Sequence, residues 1–208
     1  MLMLRKNLFF ICVLLCILVL SAGCIQEQRT YEAQNISIES DAFVEENMTT
    51  SESKHETNIT GVNISAIIIT KEYRYTKERP DNSFTLLKLT GIPKGSNQVE
   101  FTFSHDKLID SINNSDGITL RNVSKVDNST IVNEYHGEVN KTEYNATAIS
   151  QVDNATFEGE VKIHVVTFGA GETDIIGVGI HERGDVGTRM SIIQVFKTAT
   201  VENGSSVS

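Results

Sequence analysis

Residues 157–165 read Phe-Glu-Gly-Glu-Val-Lys-Ile-His-Val. Phe157, Val161, Ile163 and Val165 occupy every second place, and Glu158, Glu160, Lys162 and His164 fall between them. A period of two belongs to extended chain, whose successive side chains point to opposite faces, so this stretch predicts a half-buried strand with His164 on the solvated side. Residues 98–104 repeat the pattern, with Val99, Phe101 and Phe103 against Gln98, Glu100, Thr102 and Ser104.

Outward from these two stretches the texture stays the same. Residues 61–75 open with Val62, Ile64 and Ala66 in alternation and pass into the β-branched run Ile67, Ile68, Ile69, which suits burial on both faces. Arg79-Pro80-Asp81-Asn82 reads as a turn, residues 83–89 as a strand, and the run from Gly91 to Asn97 as a break. Asn113-Asn114-Ser115-Asp116-Gly117 is a further turn cluster, and strands are expected at 118–123, 130–139 and 143–152. A hairpin is expected to pair 174–182 with 189–197 across Arg183-Gly184-Asp185-Val186-Gly187, with a short last strand at Thr200 and Val201. No stretch of helical length holds a 3.6-residue period, and only 106–112 suits a helical turn. Short strands at this spacing predict an all-β fold, an antiparallel two-sheet sandwich of jelly-roll or Ig-like type.

The first 23 residues have a different character. Arg5 and Lys6 precede an apolar run from Leu8 to Leu20, and Ser21-Ala22-Gly23 sets small residues before Cys24. That is the layout of a signal helix cleaved ahead of a cysteine whose thiol takes a lipid. A spanning helix wants ~20 apolar residues, more than this run supplies. Cys24 is therefore the expected lipidation site, and the expected location is the outer side of the cell membrane, anchored by lipid. Cys12 and Cys16, the other two cysteines, fall within the signal, so the mature chain has no intramolecular disulfide.

Removal of Arg5 and Lys6 leaves 16 basic residues against 27 acidic ones. A balance this negative disfavours nucleic acid as a partner. Residues 24–60 carry eight carboxylates against Arg29 and Lys54 and few apolar side chains, which predicts a disordered stalk reaching about 35 Å. The domain division expected is 1–23 signal peptide, 24–60 stalk and 61–208 β domain.

Eleven of the fifteen asparagines after Gly23 stand in N-x-S/T: Asn35, Asn47, Asn58, Asn63, Asn113, Asn122, Asn128, Asn140, Asn145, Asn154 and Asn203. The Ser and Thr content of the chain would place about 3 there by chance, and the motif is the acceptor for N-linked sugar on exposed chain. A densely glycosylated surface protein is implied, and the joint presence of the lipid signal suits an archaeal envelope.

Residues 97–108 (NQVEFTFSHDKL), 83–91, 158–173 (EGEVKIHVVTFGAGET) and 199–207 (ATVENGSSV) together resemble cohesin-like domains, although His105 and Lys107 stand where that family usually has Tyr and often Pro. The resemblance implies a jelly-roll sandwich used as an adhesion or docking module.

Candidate chemistry is sparse. His105 with Asp106 suits an acid–base pair, and His164, His181 with Glu182, or Glu172 with Asp174 suit metal ligands, but each sits as readily on a solvated face or turn. Gly169-x-Gly171 and Gly177-x-Gly179 lack the following helix that a phosphate site needs and mark close packing instead. No catalytic residue, metal site or cofactor is expected. The reading is a non-catalytic adhesion or interaction module with an envelope protein or glycan as partner, its contact patch near the 174–197 hairpin, which has no sequon. A structural envelope glycoprotein is the alternative. So is a carbohydrate- or solute-binding lipoprotein using Tyr73, Tyr75, Tyr135 and Tyr144.

Overall fold

The computed structural model describes residues 27–59, 62–77, 84–94, 110, 112, 118–152 and 155–202. Cys24, the 98–104 strand, the His105-Asp106 pair, the turns at 79–82 and 113–117, Asn113, Asn154 and Asn203 lie outside them. The described chain is mostly β: β1 (Glu27–Glu32), β2 (Ile36–Ser37), β3 (Phe43–Ile59), β4 (Val62–Lys77), β5 (Leu86–Pro93), β6 (Ile118–Asn133), β7 (Gly137–Val152), β8 (Ala155–Ala170), β9 (Thr173–Glu182) and β10 (Thr200–Val201), with one helix, α1 (Val186–Thr198), between β9 and β10. Among the described residues no helix is long and apolar enough to cross a membrane.

The chain divides into two compact units. Residues 1–30 with 54–67 form the first, where Lys54 and Glu56 make an exposed ion pair of 2.8 Å. Residues 31–53 with 68–208 form the second. The large sheet runs β1-β4-β5-β9-β8-β7-β6, with β3 also paired to β4, and β10 pairs with β2 in a separate two-stranded sheet. The β4-β5, β5-β9, β9-β8, β8-β7 and β7-β6 pairs are all antiparallel.

Alternation along the central strands feeds two cores. On one face Leu86, Val161, Ile163, Val165, Val178 and Ile180 pack with Phe84 and Ile112. On the other, Leu87, Leu89, Val166 and Ile175 pack beneath Ile192, Val195 and Phe196 of α1. Strands covered on both faces read as nearly continuous apolar runs, which is why β5 and β9 are so rich in Leu, Ile and Val.

Residues 189–197 are helix and not the second arm of a hairpin. Asp185 caps α1, its Oδ1 accepting the Thr188 N–H at 2.9 Å, and Thr188, Ile192, Val195 and Phe196 fall on one buried stripe. The helix lies close to β9 because Gly177 and Gly179 have no side chains there: a Cβ on Gly177 would sit 2.7 Å from Phe196 Cε1, and one on Gly179 would overlap Ile192. Gly179→Ala is accordingly expected to lower the free energy of unfolding by about 2 kcal/mol through overpacking, read as a lower urea midpoint at unchanged slope.

Three further expectations change. The 130–139 segment is broken by the turn Glu134-Tyr135-His136 between β6 and β7, where Asn133 Oδ1 accepts the N–H groups of Tyr135 and His136 at 2.9 and 3.0 Å. Gly91 does not end a strand, since β5 continues to Pro93 opposite Thr173. Within 24–60, expected to be a disordered stalk, β1, β2 and β3 form. Phe43 and Ile36 are buried, and Arg74 of β4 meets Glu46 of β3 at 3.2 Å.

Asn133 also holds α1 to the sheet. Its buried Nδ2 donates to the carbonyls of Phe196 and Ala199, both at 2.9 Å, while Glu134 N–H donates to Lys197 O at 2.8 Å. These carbonyls lie at the helix end, where the backbone has no partner of its own. Asn133→Ala is expected to cost about 2 kcal/mol, because buried acceptors lose their donor, and to raise amide exchange across the last turn of α1.

Candidate functional site: a buried carboxylate and two imidazoles

Glu143 on β7, His164 on β8 and His181 on β9 share the face that α1 covers. Glu143 pairs directly with His164, His164 with Gly179, and His181 with Lys162, so the three functional side chains step diagonally across three neighbouring strands. His164 and His181 are 0% and 1% exposed. The alternation of β8 predicts a solvated His164. It is buried because its cross-strand neighbour Gly179 is the residue on which Ile192 of α1 packs.

The hydrogen bonds fix the tautomers. His181 Nδ1 lies 2.7 Å from the carbonyl oxygen of Glu182, which can only accept, so Nδ1 carries the proton and Nε2 offers a lone pair. His164 Nε2 stands 2.9 Å from that lone pair and donates to it. The ring planes are 9° apart with centroids 5.1 Å apart, so the rings meet edge to edge along the hydrogen bond. His164 Nδ1 is then an acceptor without a hydrogen-bond partner, facing Glu143 Oε2 at 3.5 Å.

Two ammonium groups hold the carboxylate. Lys162 contacts Glu143 Oε1 directly, and Lys141 Nζ lies 3.5 Å from Oε2. Burial pushes Glu143 up, but Lys162, His164 and Lys141 outweigh it and keep the carboxyl below its ordinary range. Burial pushes His164 down to about 3. Glu143 opposes that shift, and His181, Lys141 and Arg189 add to it. His181 is lowered chiefly by burial, against the Glu182 carbonyl and Asp185. Asp185 is itself held low by hydrogen bonds from the Thr188 side chain and backbone. Both imidazoles are thus neutral near pH 7, inside a cluster whose carboxylate is already matched by two lysines.

This arrangement can store or pass a proton but presents no atom to a substrate, since both rings are shielded from solvent. Among the described residues no three His, Cys, Asp or Glu side chains converge as a metal site. The other ligand candidates lie apart. Glu172 sits in the β8–β9 turn, and Asp174 lies 3.9 Å from Lys94. Lys94 Nζ donates to Gly171 O at 2.8 Å, which occupies the Gly169-x-Gly171 turn with the chain's own cation.

Of the sequon asparagines with described side chains, Asn35, Asn47, Asn122, Asn128 and Asn140 are exposed and Asn145 is half-buried, with a shielded Oδ1 that has no hydrogen-bond partner. Asn58 lies in β3 and Asn63 in β4. A cavity of about 150 Å³ is lined by Asn122, Asn145, Thr147, Glu160 and Arg183, the last two paired at 2.7 Å. Tyr73 and Tyr75 are buried, which removes two of the four aromatics available for stacking on a sugar.

The sequence does signal the cluster in part. Lys141-x-Glu143 and Lys162-x-His164 are the polar sides of alternating strands, and only the position of α1 turns that side inward. No protein-family model matches the chain, and no curated protein matches it.

Proposed function

We propose that the chain is a lipid-anchored, N-glycosylated surface protein whose β domain, of sandwich type, is a non-catalytic interaction module. The observation that carries the reading is the placement of the sequons. Among the described elements they fall on β3, β4, β6, β7 and the β1–β2 connection, and none falls on β5, β8, β9 or α1. Five of the six whose side chains are described are exposed, as attachment of sugar requires. Concentration towards the sides of the sheet favours an interaction module with bare surface over a structural glycoprotein coated on all faces. The cohesin-like resemblance points to the same class of function.

β9 is buried, so within 174–197 the surface left for a partner is the turn before α1 and the helix's outer side, where Val186 and Met190 are exposed one turn apart. An envelope protein presenting an apolar strip suits that patch.

Mass spectrometry of the chain extracted from its own membrane tests the reading. The expected result is a mature N-terminus at Cys24 bearing lipid, with sugar on Asn47, Asn122, Asn128 and Asn140 and little on Asn145. A leader still attached, an unmodified Cys24 and bare asparagines would sink it.

A further inference from the structure

Asn145 stands directly opposite Lys162 in the β7–β8 ladder, and Glu143 lies two places from Asn145 on the same face. Directly opposed side chains leave a sheet about 5 Å apart at Cβ, and the long Lys162 stem reaches the diagonal neighbour as well as the opposite one. Its ammonium group contacts Glu143 Oε1. Asn145 is half-buried, and its Oδ1 is shielded from water and accepts no hydrogen bond. A primary amine, a carboxyl group touching it and an unpartnered carboxamide therefore share one sheltered strip of the sheet.

We propose that Lys162 and Asn145 join through an amide bond from Nζ to Cγ, with Glu143 as the proton carrier. The structure described above is the state before this reaction, which occurs once in each chain and acts on no outside substrate. The Lys162 ammonium gives a proton to the Glu143 carboxylate, and the free amine attacks Asn145 Cγ. A second proton moves from the attacking nitrogen to Nδ2, the Cγ–Nδ2 bond breaks, and the departing ammonia takes the carboxyl proton from Glu143. An ammonium group and a carboxamide thus become a secondary amide and an ammonium ion, with no change of oxidation state and with the Glu143 carboxylate restored. Ammonia, about the size of water, leaves through the cavity that Asn145 lines with Asn122, Thr147, Glu160 and Arg183.

The surroundings favour each step. Holding amine and carboxamide on facing positions replaces a chance encounter with a standing one. Burial favours the neutral amine and acid over the charged pair, and His164 Nδ1, an acceptor without a hydrogen-bond partner 3.5 Å from Oε2, can receive the hydrogen bond of the protonated acid. Lys141 opposes proton transfer by favouring the carboxylate, so the neutral pair is scarce and the reaction slow, which suffices for a bond made once. Lys141 is not the nucleophile, since it stands opposite Val166 and four residues from Asn145 along its own strand. The product clamps β7 to β8 in a domain whose residues 25–208 contain no cysteine to do so.

The experiment uses the full chain, purified folded and then cleaved after glutamate, which places Asn145 in the peptide 144–158 and Lys162 in the peptide 161–172. Mass spectrometry is expected to find these two joined, lighter by one ammonia than their sum, with fragment ions placing the bond between Asn145 and Lys162. Lys162→Arg, which keeps a cation beside Glu143 but no attacking amine, and Asn145→Ala are each expected to give the two peptides separately. Glu143→Gln, taken as the fraction that is folded by circular dichroism, is expected to do the same, and linkage in it would overturn the part given to Glu143. Separate peptides from the folded parent, with a free Lys162 amine and an intact Asn145 carboxamide, would overturn the proposal. So would loss of water in place of ammonia, which puts the amide on Glu143, or a bond through Lys141. Sugar on Asn145 in most of the folded parent would overturn it too, because Nδ2 leaves in the reaction, and would spare the surface-glycoprotein reading.

Discussion

Glu143→Gln is expected to lower the free energy of unfolding by about 4 kcal/mol, the largest effect of any single substitution considered. Gln keeps the volume and a hydrogen-bonding end but removes the charge. Lys141, 8% exposed, then keeps its ammonium in the interior with no carboxylate beside it, and Lys162 loses its contact as well. Breaking a buried pair by deleting one partner costs about 3–5 kcal/mol, because the stranded charge has lost both water and counter-charge. Lys162 softens the loss by turning outward, since its side chain is 27% exposed, whereas Lys141 has less freedom. Glu143→Leu with Lys141→Met should recover most of the stability, as matched removal of both charges leaves neither unpaired. Urea unfolding of the three proteins decides the matter. A shift below about 1 kcal/mol for Glu143→Gln would mean that the carboxylate is screened by solvent, against its burial.

Acid should begin to destabilise the protein at a pH above that at which its carboxylates titrate. An unfolded histidine takes a proton near pH 6.5, whereas folded His164 resists until about pH 3 and His181 is shifted the same way. Between those values the unfolded chain binds more protons than the folded one, so the stability these rings confer is complete above pH 6.5 and is lost as pH falls towards 3. The loss for His164 is on the order of 3 kcal/mol between pH 7 and pH 4. Glu143 and Asp185, both held low, extend the decline below their ordinary range. Urea midpoints measured from pH 8 to pH 4 should therefore drop from pH 6.5 downward. In a chain with His164→Gln and His181→Gln, most of the slope above pH 5 should vanish. A midpoint flat across pH 5–7 in the parent chain would refute the burial of neutral imidazoles.

How much of this is visible in the residues depends on what shapes each segment. β8 and the first arm of the expected hairpin, 174–182, announce themselves because a period of two survives when a strand is straight and regularly paired. β6 reads as two short strands because its bulges throw the alternation out of phase at 121–127, although the chain stays extended throughout. α1 is hidden by its own composition: Thr188 is polar and buried, Val186 and Met190 are apolar and exposed, and Ile192, Ile193 and Val195 are β-branched. Asp185 three places before Thr188 is the one local sign of a helix start, and it is equally at home in a turn.

β3 is hidden for another reason. Composition reports what a segment can bury on its own, and this one offers little, but β4 supplies a pairing edge and charges that match it. The buried cluster is readable only in part for a related reason, since Glu143, Lys162 and His164 alternate as solvent-facing residues should. Their burial depends on a helix whose contact with the sheet is set by two glycines on another strand.

The stitch between β2 and β10 has a practical corollary. Thr200 and Val201 pair with Ser37 and Ile36, and Glu202 N–H donates to Asn35 O at 2.9 Å, so residues 200–202 lie beside residues 35–37. A fluorescent or affinity tag joined directly at Glu202 would therefore crowd residues 35–37. A small epitope belongs instead beside Gly184, past the other end of β9, where nothing lies within 4 Å of the backbone's side-chain position, with Gly184 itself kept as glycine because of its φ of 101°.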